Sequence, residues 1–377
     1  MLPLAWRFIR YGKAKSIGIV TAIFISVFLI GQQLSLLLFL MGLMGNLVGN
    51  APVDANDLWV IERQSHNVNQ LNSLDTRLVQ QVQSVPGVLT AQPVVLANAR
   101  ATFLDGKTAG ITLVGAPAPA FLMGPVEARI DSGQIAELSH PMKVSAEYFN
   151  ARSWDTELFQ GKPIEINGKS AQVAVITRNA QAFGASVMYT SLENARYLAD
   201  VPIHQVHIII VKLAAEQQKE QIAARIQQLF PNVQAWDPEK LRKSTVKEIL
   251  ISSNMGLSFG TLVVFAMISG FFIIGLTLYS SALDRIRDYG TLKAIGATTW
   301  YVNRLIMMQA LLYALIGYLI AMLFLWGFKF GAASGGLKID LSAGFVLFLL
   351  LVTLVISVGG SLFAVRKISK LEPASVF

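Results

Sequence analysis

Cysteine is absent from this 377-residue chain, histidine occurs only four times, and charged residues make up just 14% of it. A cysteine-free chain fits an oxidising exterior held without disulfides. Of the histidines (His66, His140, His204 and His207), only the last two are close in sequence, and three residues apart on a strand edge they point to opposite faces. That argues against a metal site, whose ligands must converge. No nucleophile, base and orienting group can be assembled from spacing either. A phosphate-binding loop is missing as well. Asn167-Gly168-Lys169-Ser170 resembles the end of G-x-x-x-x-G-K-[ST], but Pro163 stands where the first glycine is required, and the segment reads as a hairpin turn. The chain is therefore expected to be non-catalytic and to bind no cofactor itself.

The scarcity of charge has a positive counterpart. Soluble domains are about one quarter charged, whereas this chain is 53% hydrophobic with a mean hydropathy of +0.52. Four charge-free stretches are long enough to cross a hydrocarbon core, which takes roughly 20 helical residues. They are 16–48, 249–283, 305–328 and 341–365. The first follows Arg7, Arg10, Lys13 and Lys15, and Gly49-Asn50-Ala51 faintly resembles a signal cleavage site. A secretory signal has an apolar region of about 7 to 15 residues, and this one is twice that, so it reads as an uncleaved anchor.

Lysine and arginine mark the cytoplasmic flanks of spans. The N-terminal arm, the 284–304 loop and the C-terminal tail hold eleven basic and three acidic residues, while the segment between spans one and two holds 18 basic and 19 acidic. The net charge of +8 thus reports topology rather than nucleic-acid binding. Both termini are expected in the cytoplasm, with residues 49–248 outside.

That exterior segment is long enough to bury its own core, and its pattern is mixed α/β. A strand at 58–62, a helix at 73–84 and a strand at 91–97 are echoed by a strand at 206–213, a helix at 215–230 and a strand at 234–236. Two halves, about 55–115 and 201–240, are expected to pack together around a β-rich insert at about 117–200. Hairpins are predicted around Asp105-Gly106 and Asn167-Gly168. The approach from Pro238 runs without a breaker into span two, predicting one helix over 240–283, a stalk of about 65 Å at 1.5 Å per residue. The predicted fold is a four-helix membrane domain with a mixed α/β extracytoplasmic domain inserted between helices 1 and 2.

Gln32 and Gln33 are adjacent amides at membrane depth and are candidates for helix-to-helix contacts. Gly256, Gly260, Gly270, Gly317, Gly359 and Gly360 fit close helix packing. The cytoplasmic stretch 284–304 carries charges of alternating sign, with Gly290 and Gly296 expected to interrupt its helix.

Asp284-Arg-Ile-Arg-Asp-Tyr-Gly-Thr-Leu-Lys-Ala-Ile-Gly-Ala297 resembles the E-R-x-R-E-[IY]-G-x-[LM]-[KR]-A-[IVL]-G-A signature of FtsX-like permeases of the MacB type (type VII ABC transporters). The acidic positions 284 and 288 carry Asp in place of Glu. Thr298-Thr299-Trp300 stands where members of that family often have basic residues. Residues 4–15 resemble the family's amphipathic N-terminal helix, and 366–376 its closing tail; size and the Leu4-Ala-Trp start are similar to the DevC-like subfamily of three-component exporters. The resemblance implies a homodimer in the bacterial inner membrane, resting on a separate ABC ATPase that carries ATP and Mg. It implies membrane lipid as surroundings and admits a periplasmic adaptor and outer-membrane channel. Contact with the ATPase falls, by the same resemblance, to Asp284, Arg285, Arg287, Asp288, Tyr289, Gly290, Lys293, Ala294 and Gly296. The implied function is mechanotransmission in an exporter of lipid-like or hydrophobic substrates. An FtsX-like signalling subunit that activates an exterior partner such as a cell-wall hydrolase is the alternative, and an anchored enzyme or receptor without an ATPase a further one.

Overall fold

The computed structural model describes residues 13–369, apart from 55, 154–156, 185 and 215–218, together with residues 5, 7, 9 and 10. Residues 4, 6, 8, 11 and 12 of the expected N-terminal amphipathic helix and residues 370–376 of the closing tail lie outside the described residues. The chain divides into two compact units, Met1–Phe39 with Gly256–Phe377, and Leu40–Met255.

Four helices are long and apolar enough to span a membrane: Ser16–Gly49, Met255–Asp284, Thr299–Ala333 and Ala343–Leu362. They belong to α1 (Lys13–Gly49), α7 (Met255–Asp284), α9 (Thr299–Ala333) and α10 (Ala343–Ser369). Within the first unit these helices meet through small residues. A methyl group on Gly317 would lie 2.5 Å from Ile23 Cγ2, and one on Gly360 would lie 2.8 Å from Gly275 Cα. Gly270 faces Ser26 and Gly359 the Phe271 ring, whereas a methyl on Gly260 would meet nothing within 4 Å. Ser16, Tyr313 and the Ile9 carbonyl form a buried hydrogen-bonded group at one end of the bundle.

The second unit contains a ten-stranded sheet. Its strands are β1 (Asp57–Glu62), β3 (Val88–Phe103), β4 (Thr108–Ala116), β5 (Ile130–Ser132), β6 (Lys143–Glu147), β7 (Pro163–Ile166), β8 (Lys169–Thr177), β9 (Ser186–Ser191), β11 (Ile208–Leu213) and β12 (Val233–Trp236); β2 (Leu74–Asp75) and β10 (Gln205–Val206) pair separately. The two halves read from sequence interleave, because β1 lies antiparallel between β11 and β12. Alternation then decides the core. Leu58 and Val60 point into a cluster with Val82, Ile222 and Ile226 from helices α2 (Arg77–Gln83) and α5 (Lys219–Leu229), and Trp59 and Ile61 point into the opposite cluster. Burying each such side chain contributes roughly 1.5–3 kcal/mol. The 115-side boundary of the insert does not divide the sheet. β3 pairs with β11 through residues 88–94 and with β4 and β7 through 95–103, so one 16-residue strand joins the halves to the insert.

One helix expectation is corrected here. The stalk is not one helix: α6 (Pro238–Ser252) ends at Ser253, and Asn254 takes a positive φ of 54° before α7 begins. The sequence-level pattern missed this because Ser-Ser-Asn is polar without being Gly or Pro, yet Asn tolerates the left-handed conformation. Asp237 caps α6, accepting from Glu239 N and Lys240 N, with Pro238 in the first turn. Burial alone would raise the Asp237 carboxyl, but the Lys219 ammonium at 2.5 Å and these backbone N–H groups hold it below its ordinary value.

The last turns of α1 are stitched into the second unit. Asn46 donates to Gln181 O at 2.8 Å, Asn50 to Ala180 O at 2.6 Å, and Phe183 N to Leu43 O at 3.1 Å. Asn69 donates to Met44 O at 3.0 Å. Beneath this seam Arg129 donates to Asn50 Oδ1 and to Asn179 O. Glu147, 1% exposed, accepts from Thr177 Oγ1 at 2.8 Å and from the backbone of Asn179 and Ala180 at 3.0 and 3.1 Å. Burial nevertheless raises its pKa, and burial likewise raises the hydroxyl of neighbouring Tyr189 and lowers the Arg129 guanidinium.

Candidate functional site

The segment singled out by its sequence folds as helix α8 (Ile286–Ala294) between α7 and α9. Arg285, at φ −104° and ψ 19°, breaks the helix from α7. The far end turns at Gly296, whose φ of +104° suits glycine. Gly290 does not interrupt the helix, contrary to expectation; it lies inside α8 and is buried. Thr298 caps α9, its hydroxyl accepting from Tyr301 N. This gives the residues that stand where basic side chains were expected a structural role. Trp300 stays exposed, with the Arg304 guanidinium 5.1 Å from its ring centre.

Helical spacing sorts the nine predicted residues onto two faces. Asp284, Arg287, Asp288 and Ala294 are exposed, forming with Thr291 a stripe at intervals of three and four that ends at Ile295, 76% exposed. The side chains of Arg287 and Asp288 make no hydrogen bond or ion pair among the described residues, and the Arg287 carbonyl accepts from Thr291 Oγ1 at 2.9 Å. Tyr289 and Gly290 are buried, and Arg285 and Lys293 are half-buried. Gly296 is exposed at the turn.

Tyr289 is the anchor of the buried face. It packs with Ala282, Val302, Leu305 and Ile306, and its hydroxyl donates to Gln309 Oε1 at 3.2 Å. Burial pushes its pKa up to about 12, so it stays a neutral donor. Gln309, 7% exposed in α9, was missed from sequence. The signal was available: it is an amide within an apolar span, the same feature that marks Gln32 and Gln33. Those two lie half-buried in α1, and neither side-chain amide is hydrogen-bonded among the described residues; the Gln32 backbone carbonyl accepts from Ser35 Oγ at 2.9 Å. His204 and His207 do not converge: His204 is exposed, and His207 accepts from Leu96 N through Nδ1 at 3.3 Å. Among the described residues no group of three or more His, Cys, Asp or Glu side chains could hold a metal ion.

Four helices long and apolar enough to cross a membrane, with a mixed α/β domain between the first two, fit a multi-pass membrane protein. Residues 240–373 match the FtsX-like permease C-terminal family, and the chain is similar to ABC transporter permeases. It is 24% identical over 301 residues to the "Uncharacterized ABC transporter permease Rv0072" of Mycobacterium tuberculosis H37Rv, covering 78% of this chain and 76% of that one. The same figures hold for "Uncharacterized ABC transporter permease MT0078" of strain CDC 1551. Among solved structures, the extracellular domain of the noncanonic ABC-type transporter YknZ from Gram-positive bacteria is 14% identical with a TM-score of 0.36, spanning 48% of this chain and 100% of that one. The periplasmic region of MacB from Actinobacillus actinomycetemcomitans is 10% identical with a TM-score of 0.37, spanning 51% and 93%.

Proposed function

We propose that this chain is the non-catalytic membrane subunit of an exporter, driven by a separate ATPase on which the exposed stripe of α8 docks. The observation that carries this reading is the division of α8: one face is locked to α9 through Tyr289 and Gln309, while the other presents Asp284, Arg287 and Asp288 unburied. A helix that is exposed on one side and fixed on the other transmits a push rather than absorbing it. Both termini and α8 then lie in the cytoplasm and residues 50–248 outside, in the inner membrane of a bacterium. A homodimer on two ATPase chains, with ATP and Mg bound there, completes the assembly. On this reading α1, whose last turns Asn46 and Asn50 anchor within the exterior domain, carries the movement to that domain, which would propel a lipid-like substrate outward.

The test reverses the two exposed charges, Arg287→Glu with Asp288→Lys, in the chain co-reconstituted with its ATPase. Arg287 is preferred to Arg285 because Arg285 is half-buried. The expected result is loss of permease-dependent ATPase stimulation with an unchanged melting temperature. Undiminished stimulation would sink the assignment.

A further inference from the structure

Helix α9 carries two polar side chains buried on one face, Gln309 and Tyr313. Four residues apart in a helix, they are neighbours. Each belongs to a separate hydrogen-bonded group. Gln309 Oε1 accepts from the Tyr289 hydroxyl of α8 at 3.2 Å. Tyr313 Oη lies 2.9 Å from Ser16 Oγ of α1, and Ser16 Oγ in turn donates to the Ile9 carbonyl at 2.8 Å.

Counting protons fixes the direction of the second group. A serine hydroxyl has one proton, and that of Ser16 is spent on Ile9, so Tyr313 donates to Ser16. The Tyr313 oxygen keeps its own lone pairs as acceptors. One turn away, Gln309 Nε2 is a buried donor with no hydrogen-bond partner among the described residues. Within a spanning helix such a donor is costly, because no bulk water is there to take it. Turning the amide end for end does not help: Oε1 would then face Tyr313, whose only proton belongs to Ser16. The Tyr313 phenol is also near enough to act electrostatically on that of Tyr289.

We propose that Gln309 donates through Nε2 to the Tyr313 oxygen, joining the two groups into one chain. Every link then points the same way: Tyr289 to Gln309, Gln309 to Tyr313, Tyr313 to Ser16, and Ser16 to the Ile9 carbonyl. Hydrogen bonds aligned in series polarise one another and strengthen together. Gln309 and Tyr313 are positioning residues in this chain. Both are buried away from the exposed stripe of α8, and together they carry the setting of α8 across α9 to α1, which continues as one helix to Gly49. This deepens the coupling proposed above and rests on that reading.

Amide hydrogen exchange of the full chain in phosphatidylcholine nanodiscs tests the chain of bonds. Tyr313→Phe removes one oxygen from α9 and alters nothing in α8. It is expected to speed exchange of the α8 amides about fivefold, equivalent to roughly 1 kcal/mol. In a Tyr289→Phe background the same substitution should have no further effect, since a chain already cut at its first link has nothing more to transmit. Unaltered α8 exchange in Tyr313→Phe, or effects of the two substitutions that multiply as general loosening would, overturn the proposal. With the ATPase present, Tyr313→Phe should lower maximal stimulation about fivefold on the same scale. The ATPase concentration for half stimulation should not change, because Asp284, Arg287 and Asp288 are untouched. Full stimulation in a variant whose α8 exchanges faster would overturn the role in coupling. Because exchange requires no ATPase, failure of the chain is separable from failure of the coupling reading.

Discussion

Glu147 shows how much one buried side chain asks of its surroundings. Both its oxygens are occupied by donors, from Thr177, Asn179 and Ala180, yet burial outweighs those bonds and its pKa is raised. Between the unfolded value and the raised folded one, the native state holds the proton more tightly than the unfolded chain. The contribution of this group to stability is therefore fully present below the unfolded pKa and is lost as pH rises through the folded one. Glu147→Gln removes that slope while keeping the volume, at a cost of about 1–3 kcal/mol because its NH₂ meets an N–H or O–H donor. Denaturant melts of the full chain followed by tryptophan fluorescence across the acid range should show the slope in the wild type and not in the variant. An identical slope in both would place the titration elsewhere. None of this was readable from sequence, since Glu147, Arg129 and Asn50 are brought together by strand pairing across nearly one hundred residues.

At the scale of elements, legibility followed periodicity. The spans, the hairpins at Asp105-Gly106 and Asn167-Gly168, and the recurring strand-helix-strand pattern announce themselves through apolar runs and turn residues. Two features did not. The break at Asn254 depends on one residue adopting positive φ, and the 16-residue length of β3 depends on partners from three other parts of the chain. The glycines likewise look alike in sequence and differ in place. Gly360 lies against the backbone of Gly275, which cannot rotate away, whereas Gly260 borders open space. Gly360→Ala is expected to cost about 1–3 kcal/mol through overpacking, and Gly260→Ala to be neutral or slightly stabilising through helix propensity. Thermal melts of the two variants in nanodiscs read this directly, and equal melting temperatures would contradict the packing of α7 on α10.

For the whole molecule, the absence of cysteine makes orientation in the membrane directly measurable. Every single-cysteine variant is unique in this chain, so accessibility to a membrane-impermeant maleimide reports one position without background. The exposed tip between β3 and β4, at Gly106 and Lys107, and Arg287, on the exposed face of α8, are suitable places for a reporter. The charge distribution places eleven basic residues against three acidic ones on the flanks that include α8, and a nearly neutral set on the second unit. Gly106 has a positive φ, so the neighbouring Lys107 is the better site for substitution. Lys107→Cys should be labelled in intact spheroplasts and Arg287→Cys only after permeabilisation. The reverse pattern would put α8 outside, beyond the reach of any cytoplasmic ATPase, and would remove the basis for coupling through Arg287 and Asp288. Labelling as expected would leave the exposed stripe of α8 on the side where the proposed ATPase would have to dock.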